Sequence, residues 1–581
     1  MRIISKRLIA SLSVSLFVVS NILLFGPFNI YQGNINELVV PLASILKILL
    51  LPAFILILVV SAMGLLLPKK SHQRYISILF ILGILIWLQG NILVWKYGLL
   101  DGHGIDWSKN VWRGWADLTL WIALLFVALL FYKQIYKIAG FASIALISLL
   151  SVSLVFTSVQ KPEIWEVKEK HSLSTVPPEE IFEFSSKQNV IHFILDGFQS
   201  DIFQEIIAED MDHYSKSLQG FTFFKENIGS FPTTYMSIPA FFSGKIYKNK
   251  IPMRRFLKKV IGGRTITNVL HDLGYEIDFV AGKFFFKNAR YSNLYRIAFP
   301  YGGTKQHIVK TNSAFMLDLV LFRCAPHFLK RAIYNNEQWF IQRMLTSTNG
   351  SLRGRYFSHA AFLNDLINHM SVSRIKPVYK YIHLMTSHPP VVVNNECEYT
   401  ENIPATRENL KIQAKCCLDH FIKFLMKLKM KGVYESSLII LHADHGVGRE
   451  IKMRNLSKHI DQDLSGVGKS IPIIAGSATA LMAIKPPQSK GILKTSKAQT
   501  ALTDIPATIS SILNLNEKFD GRSVFEIDPA EVRERNFYYH KWRHENWKSN
   551  YLQRLDEFII KGSVFDKASW KLGLTYYPPK R

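Results

Sequence analysis

Acidic residues are in short supply: 44 aspartates and glutamates stand against 70 lysines and arginines in 581 residues, a formal net charge of +26. Such an excess raises nucleic acid as a partner. The basic residues, however, are spread among aromatics rather than gathered in a tail, so nucleic acid is set aside and lipid headgroups or anionic glycans are expected instead. Cysteine is scarcer still. The four present (Cys324, Cys397, Cys416 and Cys417) show neither CxxC nor zinc-finger spacing and all follow the apolar N-terminal region. They are either disulfide-bonded or buried thiols, and sequence leaves the pairing open. A cleavage site is missing too. Arg2, Lys6 and Arg7 precede an apolar run as they would in a signal peptide, but no small-x-small site follows, so the segment is read as a retained helix.

What the chain has in abundance is apolar sequence, concentrated in its first 160 residues; mean hydropathy is +0.11. Five stretches are long enough to span a bilayer or nearly so: Leu8–Phe25, Ile48–Leu67, Tyr75–Val94, Ala116–Tyr132 and Ile138–Val159. The N-terminus and the second and fourth loops (Lys69, Lys70, Arg74; Lys133, Lys137) are basic. The first loop, Gly26 to Val40, has no lysine or arginine, although the third has Lys96, Lys109 and Arg113. That bias puts the N-terminus in the cytoplasm, and an odd number of spans puts everything after Val159 outside. A bacterial periplasm is the expected compartment, and it permits disulfides. Gln89 and Asn91 in the third span, with Trp107, Trp112 and Trp115 in the region that follows, read either as helix packing and an interfacial belt or as a surface for a lipid substrate. Residues 160–187, rich in charge and proline, read as a juxtamembrane linker with a short amphipathic helix.

From residue 188 to 530, strand-like and helical runs alternate. Strands are expected at Asn189–Leu195, Tyr275–Val280, Val378–His383, from Ser437 into the His442 region, and at Ile471–Ala475 and Ala480–Ile484 near the far edge. Helices are expected at Arg264–Leu273, closed by Gly274, and at Arg407–Lys431. This order predicts an α/β fold with a mostly parallel central sheet flanked by helices. Lys283–Ala360 reads as an insertion, and residues 531–581 as a C-terminal subdomain dense in aromatic and basic residues.

Four places carry chemistry. SLIILHADHG, Ser437–Gly446, is a buried strand with Asp444 and His445 at its carboxyl end, where α/β folds place ligands. Gly446 would turn the chain with no Cβ to crowd an ion. Asp196 ends NVIHFILD as either a metal ligand or a helix cap. In SFPTTYMSIPAFFSG, Thr233 and Thr234 precede an apolar helical stretch, so one of them sits at a helix N-terminus, a position that caps the helix or favours an anion. His383 and His388 flank a strand end in YIHLMTSHPP and point to metal or phosphate contact. Carboxylates, imidazoles and a hydroxyl on adjacent strand ends suit Zn²⁺ or Mn²⁺, with Mg²⁺ as the harder alternative, and a divalent ion can activate a threonine hydroxyl.

With these residues in place the chain resembles the alkaline phosphatase/sulfatase superfamily, and within it the membrane-anchored phosphoethanolamine transferases and the lipoteichoic-acid synthase-like phosphoglycerol transferases. The resemblance implies five N-terminal spans, an extracytoplasmic sulfatase-like domain, and a metal held by Asp196, Thr234, Asp444 and His445. It also implies that the threonine is transiently phosphorylated. Thr234 is chosen over Thr233 because Ser237-Ile238-Pro239 and Gly244 follow it at the spacing of the phosphoethanolamine transferases. His383-Leu-Met-Thr-Ser-His388 is similar to those enzymes' His-x-Met-x-Ser-His, which implies a second metal or phosphate contact. Thr503–Ile509 and Asp520–Ser523 resemble late, largely structural segments. Asp196 stands where these transferases usually have Glu, the cysteines that bracket their threonine are absent, and Val-Gly-Arg449 replaces an acidic continuation. Arg449 and His459 are weak candidates for substrate contact; Arg449, Lys452 and Arg454 read either as a contact for acceptor or donor phosphate or as a solvated basic loop.

The expected activity is a metal-dependent transfer of a phospholipid headgroup, phosphoethanolamine or phosphoglycerol, to an envelope glycan or lipopolysaccharide. The donor is a membrane phospholipid and the setting the bacterial inner membrane. A phosphodiesterase or sulfatase-like hydrolase on the same scaffold is the alternative, although no Cys/Ser-x-Pro-x-Arg sequence, which a sulfatase oxidises to formylglycine, lies in Ser230–Gly244. A catalytically silent lipid-binding or regulatory protein is the second.

Overall fold

The computed structural model describes the chain apart from residues 1, 36–37, 39, 96, 98–99, 101–104, 106, 108–110, 166–176, 282–285, 287, 298–300, 302–304, 336–338, 346–351, 399, 401–402, 456–466, 542–550 and 580–581. It forms two compact units, Met1–Thr175 with Gly302–Gly354, and Val176–Tyr301 with Arg355–Arg581.

In the first unit five helices are long and apolar enough to cross a membrane: Lys6–Gly33, Leu42–Leu66, Lys69–Asn91, Val111–Leu130 and Tyr132–Gln160. Each contains or overlaps most of a span expected from sequence, with ends displaced by a few residues because polar flanks continue the helices. The chain is thus a multi-pass membrane protein whose charge bias places the second unit outside the cytoplasm. The first helix is the most enclosed, and Phe17 in it packs where a Cβ on Gly83 would come within 2.7 Å. Gln89 is buried and donates to Asp117, which also accepts from Trp95 Nε1 and the His327 backbone N–H. Three donors thereby satisfy one buried carboxylate. Part of the stretch read as an insertion belongs to this unit: helix Lys305–Cys324 packs on the helices Leu42–Leu66 and Lys69–Asn91.

In the second unit the strands, in chain order, are β1 Glu183–Ser185, β2 Asn189–Leu195, β3 Thr222–Phe224, β4 Glu276–Val280, β5 Asn293–Tyr295, β6 Ser371–Arg374, β7 Val378–Leu384, β8 Leu438–His442, β9 Met482–Lys485, β10 Lys494–Ser496, β11 Glu534–Tyr539, β12 Leu555–Lys561 and β13 Trp570–Tyr576. Eight make one sheet in the order β10-β3-β9-β8-β2-β7-β4-β5, parallel except where β9 runs against β3 and β8. β1 and β6 pair separately, and β11–β13 form an antiparallel sheet.

β2 explains why its sequence lacks alternation: both faces are covered and all seven residues are buried. Phe193 packs on Phe421 and Phe424 of helix Arg407–Met430, while His192 faces Phe241 and Phe242 of helix Thr234–Ser243. The helix expected at Arg264–Leu273 spans Ile266–Asp272, capped by Thr265 and closed by Gly274 at φ +87°.

One expected strand is a helix. Ile471–Ala478 coils after the extended Ser470, with Pro472 in its first turn where a missing N–H costs nothing. A short, wholly buried apolar run has no periodicity to separate the two structures. The strand expected beside it, β9, lies third from the edge. Of the linker, 3₁₀ turns at Pro162–Ile164 and Glu179–Phe182 are seen; the amphipathic helix expected between them falls mostly outside the described residues. Cys397 and Cys416 form a disulfide, while Cys324 and Cys417 are buried thiols.

Candidate metal centre

Three adjacent central strands, β8, β2 and β7, run parallel and in register, Ile194 standing beside both His442 and His383. Their carboxyl ends therefore release side chains at one level. Asp196 follows β2, His383 lies one residue from the end of β7, and Asp444 comes two residues after β8. One ligand atom from each of these three lies within 4.8 Å of the others, and all three residues are buried.

The two carboxylates are bonded on one side only. Asp196 Oδ2 accepts from Thr234 Oγ1 at 3.3 Å and from His383 Nε2 at 3.1 Å. Asp444 Oδ1 accepts from the Gly197 N–H at 3.2 Å. Asp196 Oδ1 and Asp444 Oδ2 are buried without a hydrogen-bond partner. Bare buried carboxylate oxygens are costly unless a cation faces them, so this donor set fits a divalent ion held by Asp196, Asp444 and His383. Electrostatics agree. Burial would raise the Asp196 carboxyl, but the imidazoles of His388, His383 and His445 hold it well below the usual carboxylate range. Burial would lower the His383 and His445 rings, yet the Asp196 and Asp444 carboxylates push both upward.

His445, expected as a ligand, stands beside that trio: its Nε2 is 3.4 Å from Asp444 Oδ2 and 3.7 Å from Asp196 Oδ1. His383, read as a contact for a second metal or phosphate, is within the trio itself. His388 is half-buried, its ring 6.4 Å from that of His445, and its Nδ1 donates to the Pro389 carbonyl. The Arg449 backbone is tied to Gln199, its N–H donating to Oε1 at 2.7 Å, and no contact joins its side chain to the trio among the described residues. His459 lies outside the described residues. Gly446 is required for a different reason from the one expected, since a Cβ there would meet the Gly476 carbonyl at 2.0 Å rather than an ion.

Thr234 opens helix Thr234–Ser243, whose C-terminus is closed by Gly244 at φ +74°. Thr233 occupies the N-cap position but makes no capping bond; its hydroxyl pairs with His540 Nε2 at 3.0 Å. His540, at the end of β11, is fully buried, and burial lowers its ring to about 4. It was visible only as one of many aromatic and basic tail residues, and no local pattern marks it; Trp542, Arg543, His544 and Trp547 of that tail lie outside the described residues. Below the carboxylates a second missed group, His192 with Tyr379 and His442, forms a buried hydrogen-bonded row.

Residues 188–515 match the sulfatase family, and the chain belongs to that family. Its fold and buried acid–imidazole trio define a hydrolase- or transferase-type site of the alkaline phosphatase/sulfatase superfamily. Among solved structures it is similar to an alkaline phosphatase superfamily protein from Vibrio parahaemolyticus (13% identity over 71% of this chain and 84% of that one, TM-score 0.38). It is also similar to the lipoteichoic acid synthase LtaP from Listeria monocytogenes (11%, 69% and 90%, 0.37) and to the C-terminal periplasmic domain of EcEptC from Escherichia coli (13%, 61% and 90%, 0.35). No curated protein matches the chain in sequence.

Proposed function

We propose that the protein transfers a phosphoryl headgroup, phosphoethanolamine or phosphoglycerol, from a membrane phospholipid to a hydroxyl of an envelope glycan or lipopolysaccharide in the bacterial inner membrane. The observation that carries this reading is the hydroxyl of Thr234 at the mouth of a buried carboxylate pair, 3.3 Å from Asp196 Oδ2. A divalent cation on Asp196, Asp444 and His383, Zn²⁺ or alternatively Mn²⁺ or Mg²⁺, would supply charge neutralisation and acidify that hydroxyl.

Asp196 Oδ2 orients Thr234 Oγ1 through their hydrogen bond, and the hydroxyl proton passes to solvent. Oγ1 forms a bond to phosphorus, the bond from phosphorus to the diacylglycerol oxygen breaks, and that oxygen leaves with one proton. That proton is drawn from solvent, and His388 is a candidate contact for the phosphate. The acceptor hydroxyl then attacks the phosphothreonine, Thr234 recovers its proton, and the headgroup phosphate passes on. Two displacements through one nucleophile give ping-pong transfer, and the dipole at the N-terminus of helix Thr234–Ser243 favours the anionic phosphate. Membrane spans keep the enzyme beside its donor.

Purified full-length protein incubated with headgroup-labelled phospholipid and envelope glycan tests the reading. Label on the glycan, lost in Thr234→Ala, is expected. Release of free headgroup phosphate with no labelled glycan would make the protein a hydrolase instead, and no metal content with no reaction would make it a binding protein.

A further inference from the structure

A second concave site lies in the catalytic unit, a cleft of about 690 Å³ outside the carboxylate trio. Its walls carry five cations: Lys225, Arg407, Lys452, Arg454 and Lys497. Three carboxylates also line it, and each is already engaged. Asp201 and Glu205 both bind Arg407, at 2.7 and 2.8 Å. Glu226 accepts from Ser563 Oγ and the Val564 N–H, both at 2.9 Å on one or other oxygen. Arg407 is thereby neutralised. Among the described residues no carboxylate lies within ion-pair distance of Lys225, Lys452, Arg454 or Lys497, and five cations against three carboxylates leave the lining with a net charge of +2 around one concavity.

Like charges brought together in a cleft repel one another and attract counter-ions, and concave walls focus the field. The cleft volume exceeds what one phosphate needs and suits a sugar ring or two with their substituents. The cleft is also wired to the chemistry. Gln199, three residues after Asp196, donates to Asp201 and to the Arg449 carbonyl, and Ser200 Oγ donates to the Lys225 carbonyl. The β2 exit loop that presents Asp196 runs directly into helix Ser200–Glu209, whose Asp201, Gln204, Glu205 and Ala208 form a wall of the cleft.

We propose that this cleft binds a sugar carrying several anionic groups, phosphate or carboxylate, and that it is where the acceptor of the transfer is held. The second clause rests on the proposed function; the first does not. Lys452 and Arg454 are exposed and leave no side-chain partner behind among the described residues when replaced, so their neutral variants are expected to fold.

The test uses full-length protein in detergent, with sucrose octasulfate as a compact sugar polyanion and sucrose as its uncharged counterpart, titrated by calorimetry. Sucrose octasulfate is expected to bind and sucrose not to. Binding should weaken at least about tenfold in K452Q/R454Q and with rising salt, and stay unchanged in R254Q/R255Q, which removes two exposed arginines that do not line the cleft. Equal binding by wild type and K452Q/R454Q, or none by wild type, overturns the inference. Diacylglycerol release from phospholipid without acceptor is followed in parallel: it is expected in wild type and, unaltered, in R254Q/R255Q. Its absence in wild type defeats the proposed function while leaving the cleft's anion binding to stand on its own titration.

Discussion

Thr234 Oγ1 lies 3.3 Å from Asp196 Oδ2, joining the first residue of a helix to the residue that ends β2 across 38 positions of sequence. The contact exists because the helix packs Phe241 and Phe242 against His192 of the same strand, which fixes its first turn above the strand's end. Thr234 and Asp196 are thus held by one piece of core packing.

Replacing Thr234 should therefore separate chemistry from folding. Thr234→Ala is expected to lower turnover by about 10³-fold or more, as loss of a covalent nucleophile does, with the thermal midpoint little changed. Thr233→Ala, which loses the hydroxyl bond to His540, is expected to cost less than about tenfold. Equal losses in the two variants would assign the role wrongly.

The trio should account for bound metal. Asp196→Asn and Asp444→Asn each remove one charge from a pair of bare buried oxygens, and elemental analysis of the purified variants is expected to show metal content well below that of wild type. His383→Ala should do likewise. His445→Ala, at the flank, is expected to retain more metal than any of the three. Chelation should abolish turnover, and added Zn²⁺, Mn²⁺ or Mg²⁺ should restore it to differing extents.

Acid should loosen the catalytic unit from beneath the site. Burial, with the imidazoles of His442 and His383 nearby, holds His192 well below the ordinary histidine range. The fold prefers the neutral ring, whereas the unfolded chain takes up a proton near pH 6.5. This contribution is complete above about pH 6.5 and is lost progressively as pH falls through the depressed value. The thermal midpoint of the metal-loaded protein should drop between pH 7.5 and 5.5; a flat profile would contradict the assignment.

Cysteine accounting is a direct check on the outer compartment. Alkylation of the denatured, unreduced protein should label Cys324 and Cys417 and spare Cys397 and Cys416. Cys397→Ser should destabilise the unit by roughly 3 kcal/mol, the order expected for closing a loop of this size. Labelling of all four would deny the disulfide.

Much of the architecture was legible because it rests on local signals. Continuous apolar runs marked the spans, β2 and β8, and helical periodicity marked Arg407–Met430. The site's carboxylates were legible because each ends a readable strand. What escaped depends on distant packing. Ile471–Ala478 has no alternation to betray its helix, and His540 reaches Thr233 only through the register of β11, 307 residues away. How His383 comes to face Asp196 and Asp444 is of the same kind, since side-chain direction at a strand end is set by neighbouring strands rather than by spacing. Residues 302–354 joined the membrane unit for a reason sequence did not display: glycines at Gly26 and Gly90 leave room for Val320 and Cys324.

The most direct measurement is peptide mass spectrometry of the protein trapped after mixing with donor phospholipid and no acceptor. The account predicts a headgroup phosphate on Thr234, released when acceptor is added. Transfer to acceptor that proceeds with Thr234 unmodified, or with the group on Thr233, would contradict it.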